Sequence, residues 1–129
     1  MSSNVPDRKK TIVIVGASDR PDRASHQLLQ YLRHRSSYEL ILVHPRLTEI
    51  EGLPVHASLS SVPSGPEVVT LYVNARTSLG MEAELERLHP GKVIFNPGAE
   101  NPELAQTLSR QGIEVEEACS LVLWSQNAL

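Results

Sequence analysis

The chain has 129 residues, 40% of them hydrophobic and 21% charged, the length and balance of one soluble globular domain. A formal charge of −3 and five scattered aromatics (one Trp, three Tyr, one Phe) supply neither the basic surface nor the stacking platform that nucleic acid requires. No apolar run approaches the roughly 20 residues of a membrane span, and the single cysteine, Cys119, excludes an internal disulfide and fits a reducing, cytoplasmic setting.

Residues 1–10 are polar, lack the apolar core of a signal peptide and read as a flexible leader, so that one domain runs over 11–129. The run Thr-Ile-Val-Ile-Val at 11–15 is continuous and β-branched, the pattern of a strand covered on both faces, and it stops at Gly16. Over 24–35, Leu28, Leu29 and Leu32 recur at helical spacing and predict an amphipathic helix. Residues 39–44 repeat the strand pattern up to Pro45. Residues 52–55 read as a short extended segment, 58–62 as a small helix, and Pro-Ser-Gly-Pro at 63–66 as a turn. A strand over 68–73, a helix over 77–88, a strand over 92–95 and a helix over 102–110 follow, the last stopped at Gln111 and Gly112. Residues 113–115 open a final strand, and 118–125 form an apolar end segment. Strands alternating with helices predict an α/β fold: a Rossmann-like doubly wound parallel sheet of about five strands in one domain.

In such sheets ligands bind beyond the carboxyl ends of the strands, near the reversal of strand order. The loops to read are therefore 16–25, 44–49, 74–78 and 96–101. The first opens on Gly16, Ala17 and Ser18. Glycine there permits a tight turn and close approach of a ligand, and Asp22 or Ser25 suits the cap of the following helix, with its first N–H groups aimed at an anion. Arg20, Arg23, Arg46 and Arg76 follow three different strands. Four of the twelve basic residues thus converge on one edge, and the guanidinium fork matches phosphate oxygens. The edge suits a polyphosphate-bearing ligand.

NAD is disfavoured: only one glycine of Gly-x-Gly-x-x-Gly is present, and His44, Pro45 and Arg46 stand where a carboxylate would meet the ribose. Arg46 suits a ribose phosphate, as in NADP or in the 3′-phosphoadenosine of coenzyme A. No P-loop signature occurs. Asn96, Pro97 and Gly98 begin a second glycine-bearing turn facing the same cleft. Among the five histidines, His34 and His89 read as surface residues near helix ends, and His26, in the first turn of a helix, faces either ligand or solvent. No pair has metal-ligand spacing. Cys119 reads as a small buried hydrophobe, and Glu116 with Glu117 as a solvated strand end. Trp124 reads as an apolar contact for a homodimer or protein partner. No catalytic constellation stands out.

These stretches together resemble the small bacterial and archaeal coenzyme A-binding proteins related to the N-terminal domain of the succinyl-CoA synthetase α subunit. The matching pieces are Val-Gly-Ala-Ser at 15–18 with Arg-Pro-Asp-Arg-Ala-Ser at 20–25, Val-His-Pro-Arg at 43–46, Glu-Ile-Glu-Gly-Leu-Pro at 49–54, Leu-Tyr-Val-Asn at 71–74, Phe-Asn-Pro-Gly-Ala-Glu at 95–100, and Gly-Ile-Glu-Val at 112–115 with Glu-Ala-Cys-Ser at 117–120. The resemblance implies that Gly16, Ala17, Ser18 and Arg23 hold the diphosphate of coenzyme A. It places His44, Pro45 and Arg46 near the adenosine 3′-phosphate, Asn74 and Arg76 on the pantetheine side, and Asn96 to Gly98 across the cleft. Two positions depart from the pattern: many relatives carry Asn where this chain has His44, and proline-rich turns where it reads Asn-Ala-Arg at 74–76. The expected function is binding of coenzyme A or an acyl-CoA without chemistry of its own. The alternatives are an NADP-binding or redox-sensing domain, or an acyl-CoA-using enzyme. A mixed disulfide between Cys119 and the coenzyme thiol is the reactive alternative for that residue.

Overall fold

Strand β1 (Lys10–Val15) sends Ile12 and Ile14 to one face of the sheet and Val13 and Val15 to the other, and all four are buried. A strand apolar on both sides needs a layer on each, and the chain supplies two. Helices α1 (Ala24–Arg33) and α5 (Ser120–Ser125) cover the isoleucine face, where Leu28, Leu29, Leu32 and Trp124 pack. Helices α3 (Glu82–Leu88) and α4 (Pro102–Arg110) cover the valine face through Leu85, Leu88, Leu104 and Leu108. The computed structural model describes residues 9–127. Most of the expected leader thus lies outside the described residues, and β1 begins at Lys10, whose register partner is Tyr38.

The fold is α/β, with a mostly parallel sheet of seven strands. The remaining strands are β2 (Tyr38–Val43), β3 (Glu49–Ile50), β4 (Leu53–His56), β5 (Val68–Leu71), β6 (Lys92–Phe95) and β7 (Glu114–Glu117), in the order β3-β4-β2-β1-β5-β6-β7. Only the β3–β4 pair is antiparallel. The count of about five expected from sequence is corrected by this hairpin. Glu51 (φ 49°) and Gly52 (φ 86°) make a two-residue turn with both φ positive, and β4 then joins the parallel ladder through Leu42↔Val55 and Val43↔His56. Strands this short show no periodicity, and a proline such as Pro54 is uncommon inside a ladder.

Three further expectations change. The helix expected over 77–88 is two: α2 (Ala75–Leu79) starts early because Asn74 Oδ1 accepts from the Thr77 amide at 2.9 Å, and it ends at Gly80. Trp124 is no docking residue. It is 4% exposed and meets the Tyr38 ring edge-on at 6.1 Å inside its own chain. Helix α1 is capped by neither Asp22 nor Ser25; its N-cap is Arg23, without a side-chain cap bond. Among the described residues no helix is long and apolar enough to cross a membrane.

Candidate functional site

The sheet order reverses at β1: the chain runs outward through β2 and β4, then returns to β5 on the other side. A cavity of about 500 Å³ opens beyond the carboxyl ends of β1, β2, β4 and β5. Gly16, Ala17 and Ser18 form one wall, Val43, His44 and Pro45 a second, Ser58 and Leu59 a third, and Thr77, Gly80, Met81 and Glu84 the roof. Five of the expected site residues, Gly16, Ala17, Ser18, His44 and Pro45, therefore line one space.

Gly16 is required by the protein before any ligand is considered. Its φ is 85°, and a Cβ there would lie 3.1 Å from Val73 Cγ1 and 3.2 Å from the Tyr72 carbonyl carbon and oxygen. The amides of Gly16 and Ala17 both donate to the Val43 carbonyl, at 3.0 and 3.2 Å, which ties the loop after β1 to the end of β2. These two amides are thus not phosphate donors. The free donors lie further on. The Arg23 carbonyl accepts from the amides of His26 and Gln27, while those of Ala24 and Ser25 have no protein partner among the described residues. An uncapped helix start carries partial positive charge and attracts an anion. Arg20 and Arg23 flank it and are exposed, as are Arg46 and Arg76. None of the four arginines lines the cavity itself.

His44 closes its own turn. Its Nδ1 accepts from the amides of Arg46 and Leu47, both at 3.0 Å, as an Asn side-chain oxygen does in an Asx turn. An accepting Nδ1 leaves the proton on Nε2, so the ring offers a donor while it lines the cavity.

The other half of the expected site is engaged internally. Asn96 is buried: its Nδ2 donates to Thr70 Oγ1 at 2.6 Å and to the Leu71 carbonyl at 2.9 Å, and its Oδ1 accepts from the Ser120 amide at 2.8 Å. Thr70 and Ser120 share a hydroxyl bond of 2.7 Å. Burial pushes the neighbouring Tyr72 phenol up to about 12, against the pull of the Thr70 and Ser120 hydroxyls. Asn74 caps α2, and Pro97 and Gly98 are exposed in a turn where Glu100 Oε1 accepts from the Gly98 amide. Ser25 is buried in the first turn of α1.

His26 is not solvated. It is buried, with Nε2 at 2.6 Å from Glu51 Oε2, and Gln30 and Arg33 also bind that carboxylate. Hydrogen bonds from Gln30 and His26, with the Arg33 charge, hold the Glu51 carboxyl below its ordinary value. Cys119 is half-buried at the N-cap of α5. Glu117 is exposed, whereas Glu116 binds Lys92 Nζ at 2.6 Å. Sequence reading missed Ser58, Leu59 and Glu84. The first two follow β4, and counting that segment as a strand would have brought its carboxyl end into the edge rule.

The profile of one family, described as the CoA binding domain, matches residues 10–125. The uncharacterized protein YneT of Bacillus subtilis (strain 168) is 30% identical over 105 residues, which cover 81% of this chain and 77% of YneT. The structure of cell-free ID.343 from Thermus thermophilus superposes with a TM-score of 0.83 at 28% identity, over 92% of this chain and 90% of that one. The fold also recurs in the dinucleotide forming acetyl-coenzyme A synthetase 1 of Ca. Korarchaeum cryptofilum, with a TM-score of 0.67 at 24% identity, over 84% of this chain and 25% of the synthetase chain. With nearly all the described residues inside the matched span, and the cavity among them, the chain belongs to the CoA-binding domain family.

Proposed function

We propose that this protein binds coenzyme A or an acyl-CoA at the carboxyl edge of its sheet, as a cytoplasmic binding or sensing module without chemistry of its own. One coincidence carries the reading: the cavity at the strand-order reversal lies within the matched CoA-binding span, and the loop that leaves its Gly16–Ser18 wall leads through Arg20 and Arg23 to an uncapped helix start. The residues fit such a ligand. The start of α1 and the two arginines suit the diphosphate, Arg46 suits the 3′-phosphate, and the largely apolar cavity suits an uncharged part. A binding rather than catalytic role is supported on the β5–β6 half of the edge, where Thr70, Asn96, Ser120 and Asn101 bind one another, Ser78 or backbone.

Thermal melts with CoA, acetyl-CoA, NAD, NADP and ATP test the reading. CoA at 100 times its dissociation constant adds about 2.7 kcal/mol, a rise of several degrees at this size. Stabilisation by NADP with none by CoA defeats the proposal in favour of a dinucleotide-binding domain.

A further inference from the structure

The cavity carries a charge of unexpected sign. No lysine or arginine lines it among the described residues, and Glu84 is its one carboxylate. The group is fixed in place. Glu84 Oε1 accepts from Arg87 Nε at 2.8 Å, and an Arg87 terminal nitrogen donates to the carbonyls of Leu59 and Val62, at 2.8 and 3.1 Å. Arg87 thus ties the roof carboxylate to the wall after β4. Glu84 Oε2 has no protein partner among the described residues. A carboxylate only accepts hydrogen bonds, and with Arg87 already balancing its charge the free oxygen calls for a donor rather than for a second ion. A ligand group beside it must donate.

The part of the ligand that meets this demand follows from covalent order, given the coenzyme A reading above. One wall of the cavity, Gly16 to Ser18, leads to the anion-attracting start of α1; the next, Val43 to Pro45, leads to Arg46. With the diphosphate at the first and the 3′-phosphate at the second, the adenosine joins them, because the pantetheine arm leaves from the far side of the diphosphate. Adenine is flat and uncharged, and its 6-amino group donates. Val15, Leu59, Val73 and Met81 offer apolar surface for its faces. We propose that Glu84 reads the 6-amino group of the adenine base in this cavity and selects amino-purine over oxo-purine nucleotides.

The experiment is a calorimetric titration of the parent protein and E84Q with adenosine 3′,5′-bisphosphate, inosine 3′,5′-bisphosphate, 4′-phosphopantetheine and CoA. The parent favours the adenosine compound over the inosine compound by roughly ten- to hundredfold, the range of a hydrogen bond to a charged group. In E84Q the amide oxygen keeps Arg87 and the amide nitrogen becomes a donor, which matches the oxo group of inosine, so the preference collapses or inverts. Both affinities are read on one preparation, so a loss of folded fraction cancels from the ratio. Equal binding of the two bisphosphates by the parent, or an unchanged ratio in E84Q, overturns the proposal. So does binding of 4′-phosphopantetheine that alone responds to E84Q, which assigns the cavity to the arm. Failure of CoA itself to bind is a separate outcome: it removes the coenzyme A reading and this one with it.

Discussion

The carboxyl edge of the sheet has two halves made from similar materials and used differently. Beyond β1 and β2, the loops at 16–18 and 43–46 satisfy their own amides with one carbonyl and one histidine nitrogen, and leave a cavity between them. Beyond β5 and β6, side chains of the same hydrogen-bonding kind close on each other. Asn96 joins β5, β6 and α5, and Asn101 caps α4 while donating to Ala75 and Ser78 of α2. An amide at the end of a strand is therefore no sign of a ligand contact by itself. Its burial and its partners decide whether it faces the ligand or welds the fold.

Substitutions in the two halves break this comparison differently, and the largest effect belongs to the welded half. Asn96→Leu strands the Ser120 amide in a buried setting and removes one of the two partners of the Thr70 hydroxyl, and costs about 2 kcal/mol, lowering Tm by several degrees. CoA affinity below that temperature stays within about twofold of the parent, since such a residue lies outside the cavity. Loss of CoA binding at unchanged Tm would return Asn96 to the ligand. Gly16→Ala follows closely. It combines a positive φ with contacts of 3.1–3.2 Å against Val73 and Tyr72, and costs about 2 kcal/mol of stability. It also forces β1 and β5 apart beside the cavity, so melts and CoA titrations fall together, unlike the Asn96 variant.

The same division explains what was legible in the sequence. The five strands expected from it are apolar runs or begin beside one, and their identity follows from composition alone. The β3–β4 hairpin stayed hidden because two- and four-residue strands have no period, and because its turn places Glu51, a non-glycine, at φ 49°. That conformation is held by Arg33 on a different element, a contact no local pattern encodes. The edge rule points to 16–18 and to His44 and Pro45, which line the cavity, because it depends on topology. It also drew in Asn74 and Asn96, since topology says nothing of where an amide finds its partners. Glu84 falls inside the helix expected over 77–88, where nothing in the sequence marks it out from the helix's other glutamates. Its place over the cavity depends on the break at Gly80 and on Arg87 reaching back to Leu59.

On the open half, the arginines sharpen the comparison. Arg23→Ala and Arg46→Ala each weaken CoA binding by about 1.5 kcal/mol, the low end for a charge-assisted contact by an exposed side chain. Melts without ligand move by less than about 0.5 kcal/mol, as for surface substitutions elsewhere. The two separate on dephospho-CoA, which lacks the 3′-phosphate: Arg23→Ala still binds it more weakly than the parent, while Arg46→Ala does not. Parent-like binding of CoA by both variants removes these arginines from the site.

The smallest effect lies behind the open half, where α1 grips the hairpin through Glu51. Gln30, His26 and Arg33 all favour its ionised form, so its folded pKa sits below the ordinary 4.5. A depressed carboxyl stabilises the fold above its unfolded pKa and loses that contribution as pH falls through the folded value. Glu51→Gln should therefore melt below the parent at pH 7, and the gap should close as pH drops below about 4.5, where the parent's carboxyl takes up its proton. Because the carboxylate is solvent-exposed, added salt should shrink the gap at pH 7 as well. A gap independent of both pH and salt would mean that Glu51 acts through the neutral hydrogen bonds of a turn with positive φ rather than through its charge.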